Sequence, residues 1–292
     1  MKVLIFGVKG FIGEHLFKYL ELEGIDVYGV SSSRPHTIDP ETGILSQNFS
    51  IEPDTDVVVY LSQSPFYRQV PEQVNHLFNV NVLSAVEVAK LAIKANVKKF
   101  IYTSTGNVYS PSFESLLETS PLNRNNWYSL SKIHAEEALN LFRNDMEIVI
   151  TRIFGVYGEG QENKLIPNLI NSVASKKEIF IDKNPLDKTD LEGLQISLIY
   201  IQDLVEIMKY MIIDNEQKFN QIINLSSNET LNIQEIINIV SQKLDKIPNC
   251  NLLDKYRTGN LIADISLLKK CINYKFTPFE IGVQKMLNQL NQ

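Results

Sequence analysis

The chain has 292 residues, 44% hydrophobic and 21% charged, a composition of folded globular proteins that excludes an intrinsically disordered chain. Its 28 basic and 34 acidic residues leave a formal charge of −6, which argues against a dedicated nucleic-acid binder. Two cysteines, Cys250 and Cys271, are too few for a disulfide framework and lack zinc-site spacing.

The first apolar run, 3–6, is short and ends in Gly7, so it reads as a strand and not as a secretory signal. No stretch approaches about eighteen consecutive apolar residues, so no membrane span is expected; the expectation is a soluble, cytoplasmic protein. Further continuous apolar runs at 26–30, 56–61, 100–104 and 148–153 read as strands covered on both faces, with a weaker candidate at 44–49. Helical patterns at 12–23, 72–96 and 127–143 separate them. Strand–helix–strand repetition at this spacing predicts right-handed βαβ units and a doubly wound parallel sheet.

The second half alternates less regularly. Helices are expected at 165–174, 201–213 and 233–244, with short strands near 196–200 and 222–225. The reading is a dinucleotide-binding domain over 1–155, with elements near 195–215 returning to it, and a smaller α/β substrate lobe over 156–292.

Four motifs carry chemistry. Gly7-Val8-Lys9-Gly10-Phe11-Ile12-Gly13 follows the first strand and opens the first helix. Glycines there permit a tight turn and close approach of backbone N–H groups to a pyrophosphate. At the end of the second strand stand Ser31-Ser32-Ser33-Arg34, with no acid to bind a ribose 2′-hydroxyl; Arg34 suits a 2′-phosphate. Tyr128 and Lys132 lie four apart on one helix face, where a nearby ammonium would lower the phenol pKa for acid–base work. Tyr102-Thr103-Ser104-Thr105-Gly106-Asn107 lies at a strand's carboxyl end, 23 residues before Tyr128 counting from Thr105, where a hydroxyl can bond a substrate oxygen.

In this order the motifs resemble the extended short-chain dehydrogenase/reductase family of the NAD-dependent epimerase/dehydratase type, over almost the whole chain. Gly7, Gly10 and Gly13 match its glycine motif, and Asp56 to Gln63 resembles its D-V-V-I-H-L-A-A strand. Asn81-Val82-Leu83-Ser84-Ala85, Arg152 to Gly158, Asn224 to Glu229, and Arg257-Thr258-Gly259-Asn260 with Ala263 to Ser266 and Tyr274 resemble its later segments. The resemblance implies a Rossmann-like fold and catalytic roles for Thr105, Tyr128 and Lys132. It implies cofactor contacts from Gly7, Gly10, Phe11, Ile12, Gly13, Ser32, Arg34, Leu61, Ser62, Gln63, Thr103, Tyr128, Lys132 and Ile153, and no metal. It implies a nucleotide-sugar substrate held by Thr105, Asn107, Asn163 and Arg257, the last at the diphosphate. It also implies a homodimer built on the helices at 77–93 and 130–142.

The departures refine this. Gly155 stands in place of an asparagine that commonly contacts substrate, and Ser62-Gln63 in place of two alanines near the cofactor. Gly106-Asn107 replaces the Asp-Glu pair that assists water elimination, so dehydration is not expected. With Ser32, Ser33 and Arg34 after the second strand, the expectation is NADPH-dependent reduction of a keto-sugar nucleotide. The alternatives are a C4-epimerase with bound NAD and, from another class, a dinucleotide-binding sensor or scaffold without turnover.

Overall fold

In the computed structural model, which describes residues 1–33, 36–187 and 189–290, the continuous apolar runs form strands and the periodic ones helices. In chain order the first elements are β1 (Lys2–Phe6), α1 (Phe11–Leu22), β2 (Asp26–Val30), β3 (Val57–Tyr60), α2 (Val74–Phe78), a π-helical turn (Asn79–Ser84) and α3 (Ala85–Lys94). There follow β4 (Lys99–Thr105), α4 (Trp127–Asn140), β5 (Glu147–Ile153), β6 (Gly155–Tyr157), α5 (Leu165–Ala174), β7 (Glu178–Lys183) and β8 (Gln195–Tyr200). The last are α6 (Ile201–Ile213), β9 (Ile222–Leu225), β10 (Thr230–Asn232), α7 (Ile233–Leu244), β11 (Asn249–Tyr256), α8 (Ser266–Cys271) and α9 (Phe279–Leu290).

The main sheet has the order β2-β1-β3-β4-β5-β9, and β2–β1, β1–β3, β3–β4 and β4–β5 pair in parallel. This is the expected doubly wound, Rossmann-like arrangement, with every residue of β3 and β4 buried. The weak strand candidate at 44–49 does not form. Only a single bridge, Ile38 to Leu45, survives there, and Phe49 instead packs its ring 5.1 Å from that of Phe6. The polar Ser46-Gln47-Asn48 interrupts the apolar run, so its hydrophobic residues cover the core from a loop and β2 ends the sheet.

The chain forms two compact units. The first comprises Met1–Tyr109, Pro121–Ile153 and Val205–Ile223; the second comprises Ser110–Ser120, Phe154–Leu204 and Asn224–Gln292. In the first, an aromatic ladder runs across the sheet: the Tyr60 ring lies 5.5 Å from Phe6, 6.3 Å from Phe100 and 6.0 Å from Tyr102. Ala85, Ala89 and Ala92 of α3 join the same core, small enough to let that helix pack closely.

The continuous helix expected at 72–96 begins at Val74 and is broken by the π turn. A π turn shifts the backbone bonding by one residue. Two tyrosines from the sheet meet the carbonyls there: the Tyr60 hydroxyl donates to Val80 O (2.6 Å) and the Tyr102 hydroxyl to Asn81 O (3.0 Å). These bonds satisfy the buried phenols and pin the turn beneath the sheet's carboxyl edge. By length and composition the helix Val74–Lys94 could cross a membrane, which the sequence reading did not anticipate; half of its most apolar window is buried, as in a core helix.

The second unit contains a three-stranded sheet, β10-β8-β6, and a two-stranded parallel sheet, β11-β7. Gly155 pairs with Leu198, and a Cβ on it would lie 2.5 Å from the Leu198 side chain. Tight strand packing therefore accounts for glycine at that position. A capping box, Asn232 with Glu235, starts α7.

Candidate active site

The glycine motif forms a turn at the carboxyl end of β1. Gly7 has φ +84°, and its N–H donates to Val30 O at 3.0 Å, tying the turn to β2. A Cβ on Gly7 would sit 2.9 Å from the Ser62 nitrogen, and one on Gly13 only 2.2 Å from the Gly7 oxygen. Any side chain at Gly13 would push α1 off the turn. Gly10 is the N-cap of α1 and gives no side-chain cap, so the first amides of a twelve-residue helix are left for an external acceptor. A glycine cradle under an uncapped helix start fits the pyrophosphate of a dinucleotide, with Phe11 and Ile12 in the first turn.

After β2, the Ser31 and Ser33 hydroxyls bond each other at 2.8 Å, and Thr37 donates to Ser31 O at 2.8 Å. Ser32 is exposed beside them. Arg34, on which the 2′-phosphate expectation rests, lies outside the described residues.

Thr105 ends β4, and its hydroxyl caps the short turn Gly106–Val108 by accepting from Asn107 N at 3.2 Å. Helix α4 begins under the cap of Asn126, whose carbonyl oxygen accepts from Ser129 N at 2.8 Å. Ser129 Oγ donates to Asn107 O at 2.6 Å and clamps the helix start to that turn. This sets the Thr105 hydroxyl close enough to the Tyr128 phenol to favour its ionised form. Tyr128 Oη in turn donates to Gln63 Oε1 at 3.0 Å.

Lys132, one helical turn on, is buried and donates to Thr103 O at 2.9 Å, with its ammonium 4.9 Å from the centre of the Tyr102 ring. Burial draws the Lys132 pKa down to about 7, opposed by the carboxylate of Glu136. Burial also pushes the Tyr128 phenol up to about 12, while the nearby Thr105 hydroxyl acts the other way. The ammonium is committed to a backbone carbonyl and a ring face, and desolvation dominates at the phenol.

The loop after β3 is held on both sides. Ser64 N donates to Asn81 Oδ1 (3.2 Å), Asn81 Nδ2 donates to Ser131 Oγ (3.0 Å), and Ser64 Oγ bonds His76 Nδ1 (2.8 Å). Leu61, Ser62 and Gln63 are thereby fixed between the glycine turn and α4. Thr103 Oγ1 donates to Tyr60 O (3.1 Å), and Ile153 closes β5. The first unit thus gathers the predicted Gly7, Gly10, Gly13, Leu61, Ser62, Gln63, Thr103, Thr105, Asn107, Tyr128, Lys132 and Ile153 on the edge formed by the strands' carboxyl ends.

Sequence reasoning missed the group behind them. Glu136 accepts from Arg152 Nη2 at 2.6 Å and from Ser104 Oγ, and both ionic side chains are 3% exposed. Arg152 also lies 4.9 Å from the Tyr109 ring centre. The signal was present, since 128, 132 and 136 recur every four residues on one face of α4.

In the second unit, Arg257 is buried against Asp190 through Nη2 and donates from Nε to Asn260 Oδ1 at 3.2 Å. Its Nη1 is buried and has no hydrogen-bond partner among the described residues, which leaves donors for an anion. Asp190 was not anticipated. Asn163 is exposed, with φ +54°.

The sequence profile of the NAD-dependent epimerase/dehydratase family matches residues 3–226. A UDP-glucose 4-epimerase of Vibrio cholerae is 26% identical, over 94% of this chain and 90% of that protein. A GDP-6-deoxy-D-talose 4-dehydrogenase of Aggregatibacter actinomycetemcomitans is 28% identical, over 80% of this chain and 74% of its own length. Among solved structures, the UDP-glucuronic acid 4-epimerase of Bacillus cereus in complex with UDP-glucuronic acid and NAD superposes with a TM-score of 0.79. It is 21% identical, with 100% of this chain and 99% of that one covered. The glycine cradle, the Tyr128–Thr105 pair and a profile match across most of the chain agree: this protein belongs to the NAD-dependent epimerase/dehydratase family.

Proposed function

We propose that the chain transfers a hydride between a nicotinamide dinucleotide and a ring carbon of a nucleotide-diphosphate sugar, and that it does so as an NAD-dependent 4-epimerase. The observation that carries the chemistry is the placing of the Tyr128 and Thr105 hydroxyls side by side at the carboxyl end of β4 with Lys132 one turn along α4. The epimerase reading draws its support from relatives named as 4-epimerases, two of them described above.

In this reading the cradle of Gly7, Gly10 and Gly13 and the first amides of α1 hold the pyrophosphate. Leu61, Ser62, Gln63, Thr103 and Ile153 line the path beyond it. Bound there, the dinucleotide supplies the hydride acceptor and donor. Thr105 bonds the reacting sugar oxygen and Tyr128 takes and returns its proton. Lys132 anchors the cofactor ribose and provides positive charge near the phenolate that forms. Asn107 contacts the sugar; within the second unit, the Nη1 of Arg257, which has no partner among the described residues, is a donor suited to a diphosphate.

The test is to denature purified protein and identify the released small molecules by mass spectrometry, then to assay UDP-glucose against UDP-galactose without added cofactor. Retained NAD together with interconversion is the expected result. A reaction that consumes NADPH stoichiometrically overturns it.

One observation favours a second reading, reduction of a keto-sugar nucleotide by exchanging NADPH: β2 is followed by three serines and Arg34, with no acid for a ribose 2′-hydroxyl. In that case Arg34→Ala raises the KM for NADPH at least about tenfold, or about 1.4 kcal/mol, and leaves that for NADH nearly unchanged. An unchanged ratio of the two constants removes the reading.

A further inference from the structure

The contact between Gln63 and Tyr128 is not explained by the acid–base scheme. The resemblance sets a small alanine at position 63, whereas glutamine is long enough to reach the phenol. Its backbone has little freedom. Ser62 packs against Gly7, where a Cβ would meet its nitrogen at 2.9 Å, and Ser64 is tied to Asn81 and His76. From this fixed base the Gln63 carbonyl accepts the Tyr128 proton at 3.0 Å.

A carbonyl oxygen can only accept. It stabilises a phenol, which has a proton to give, and repels a phenolate. The other groups around Tyr128 do not reverse that preference. The Lys132 ammonium is bonded to Thr103 O, over the Tyr102 ring. Glu136 lies one turn further along and is bonded to Arg152 and Ser104. The Tyr67 ring packs 5.3 Å from that of Tyr128, with Arg68 5.3 Å from the Tyr67 ring centre. Tyr102 is a buried phenol held to Asn81 O. The nearby Thr105 hydroxyl acts the other way and favours the phenolate.

We propose that Gln63 is a positioning residue that holds the Tyr128 hydroxyl as a proton donor, so that this chain delivers a proton to a sugar carbonyl more readily than it removes one from a sugar alcohol. The inference rests on the acid–base role proposed for Tyr128. In the favoured direction the carbonyl carbon gains a hydride from the reduced nicotinamide and the carbonyl oxygen gains the Tyr128 proton. The Tyr128 O–H bond breaks and leaves a phenolate, and the products are a sugar alcohol and the oxidised nicotinamide. In the opposite direction the phenol must first lose its proton and its bond to Gln63.

The experiment uses the full-length protein labelled with 3-fluorotyrosine, whose phenol is intrinsically more acidic, followed by fluorine NMR against pH. Tyr128→Phe assigns the resonance. In Gln63→Ala the Tyr128 midpoint is expected to fall by at least about 0.5 pH unit, about a threefold change in the ionisation equilibrium. In Gln63→Glu, which keeps the length and can only accept when ionised, it is expected to rise. An unchanged midpoint in both variants, or a rise in Gln63→Ala, overturns the proposal; a rise would mean that the amide donates to the phenolate. Failure of the acid–base reading shows up separately, as full turnover by Tyr128→Phe, and leaves the titration untouched.

Discussion

Replacing Tyr128 by phenylalanine is expected to lower kcat by at least about 10²-fold, the lower end of general acid–base contributions. The substitution removes one oxygen and keeps the ring that packs 5.3 Å from Tyr67, so α4 and the loop at 61–64 should hold their places. Dinucleotide affinity, measured by titration of the purified variant, should therefore change little while turnover collapses. That split separates a lost proton carrier from a damaged fold. Near-normal turnover by Tyr128→Phe would remove the tyrosine from the reaction and leave the proton to another group.

The second large effect concerns stability. Glu136 and Arg152 are 3% exposed and face each other across α4 and β5, with Ser104 also on the carboxylate. Changing Glu136 to glutamine leaves a guanidinium buried without its counter-ion, and breaking one partner of such a pair costs about 3–5 kcal/mol. Urea unfolding followed by circular dichroism should show the midpoint fall accordingly. The double variant Glu136→Gln with Arg152→Met removes the stranded charge and should recover much of the loss, because a buried pair contributes far less than the penalty for half of one. A single variant within about 1 kcal/mol of the parent would defeat this account.

The two effects belong to one arrangement. Helix α4 presents Tyr128, Lys132 and Glu136 on one face: the first meets the edge where the glycine turn lies, the second is buried beneath it, and the third is locked to β5. Arg152 holds Glu136, which keeps a carboxylate near Lys132 and opposes the loss of its proton on burial.

Much of this was legible in the sequence because it is local. Gly7 needs a positive φ, and Gly13 admits no Cβ beside the Gly7 oxygen; both requirements fall within seven residues. Tyr128 and Lys132 share a face because a helix repeats every 3.6 residues, and apolar runs without polar interruption mark strands covered on both sides. The interrupted run at 44–49 failed for the same local reason, which composition alone did not weigh.

The tertiary structure decided the partners and the charges. Gln63 reaches Tyr128 across 65 residues of chain, Asp190 meets Arg257 across 67, and Arg152 meets Glu136 from a different element. No periodicity encodes such pairings, since they depend on which strand ends and loops the fold sets side by side. Spacing placed an ammonium near a phenol, but the sign of the shift at Tyr128 followed from what each group faces. Lys132 turned to a carbonyl, and at the half-buried Tyr128 the loss of hydration outweighs the pull of the Thr105 hydroxyl. Proximity along a helix is a property of the chain, whereas solvation and orientation are properties of the packed interior.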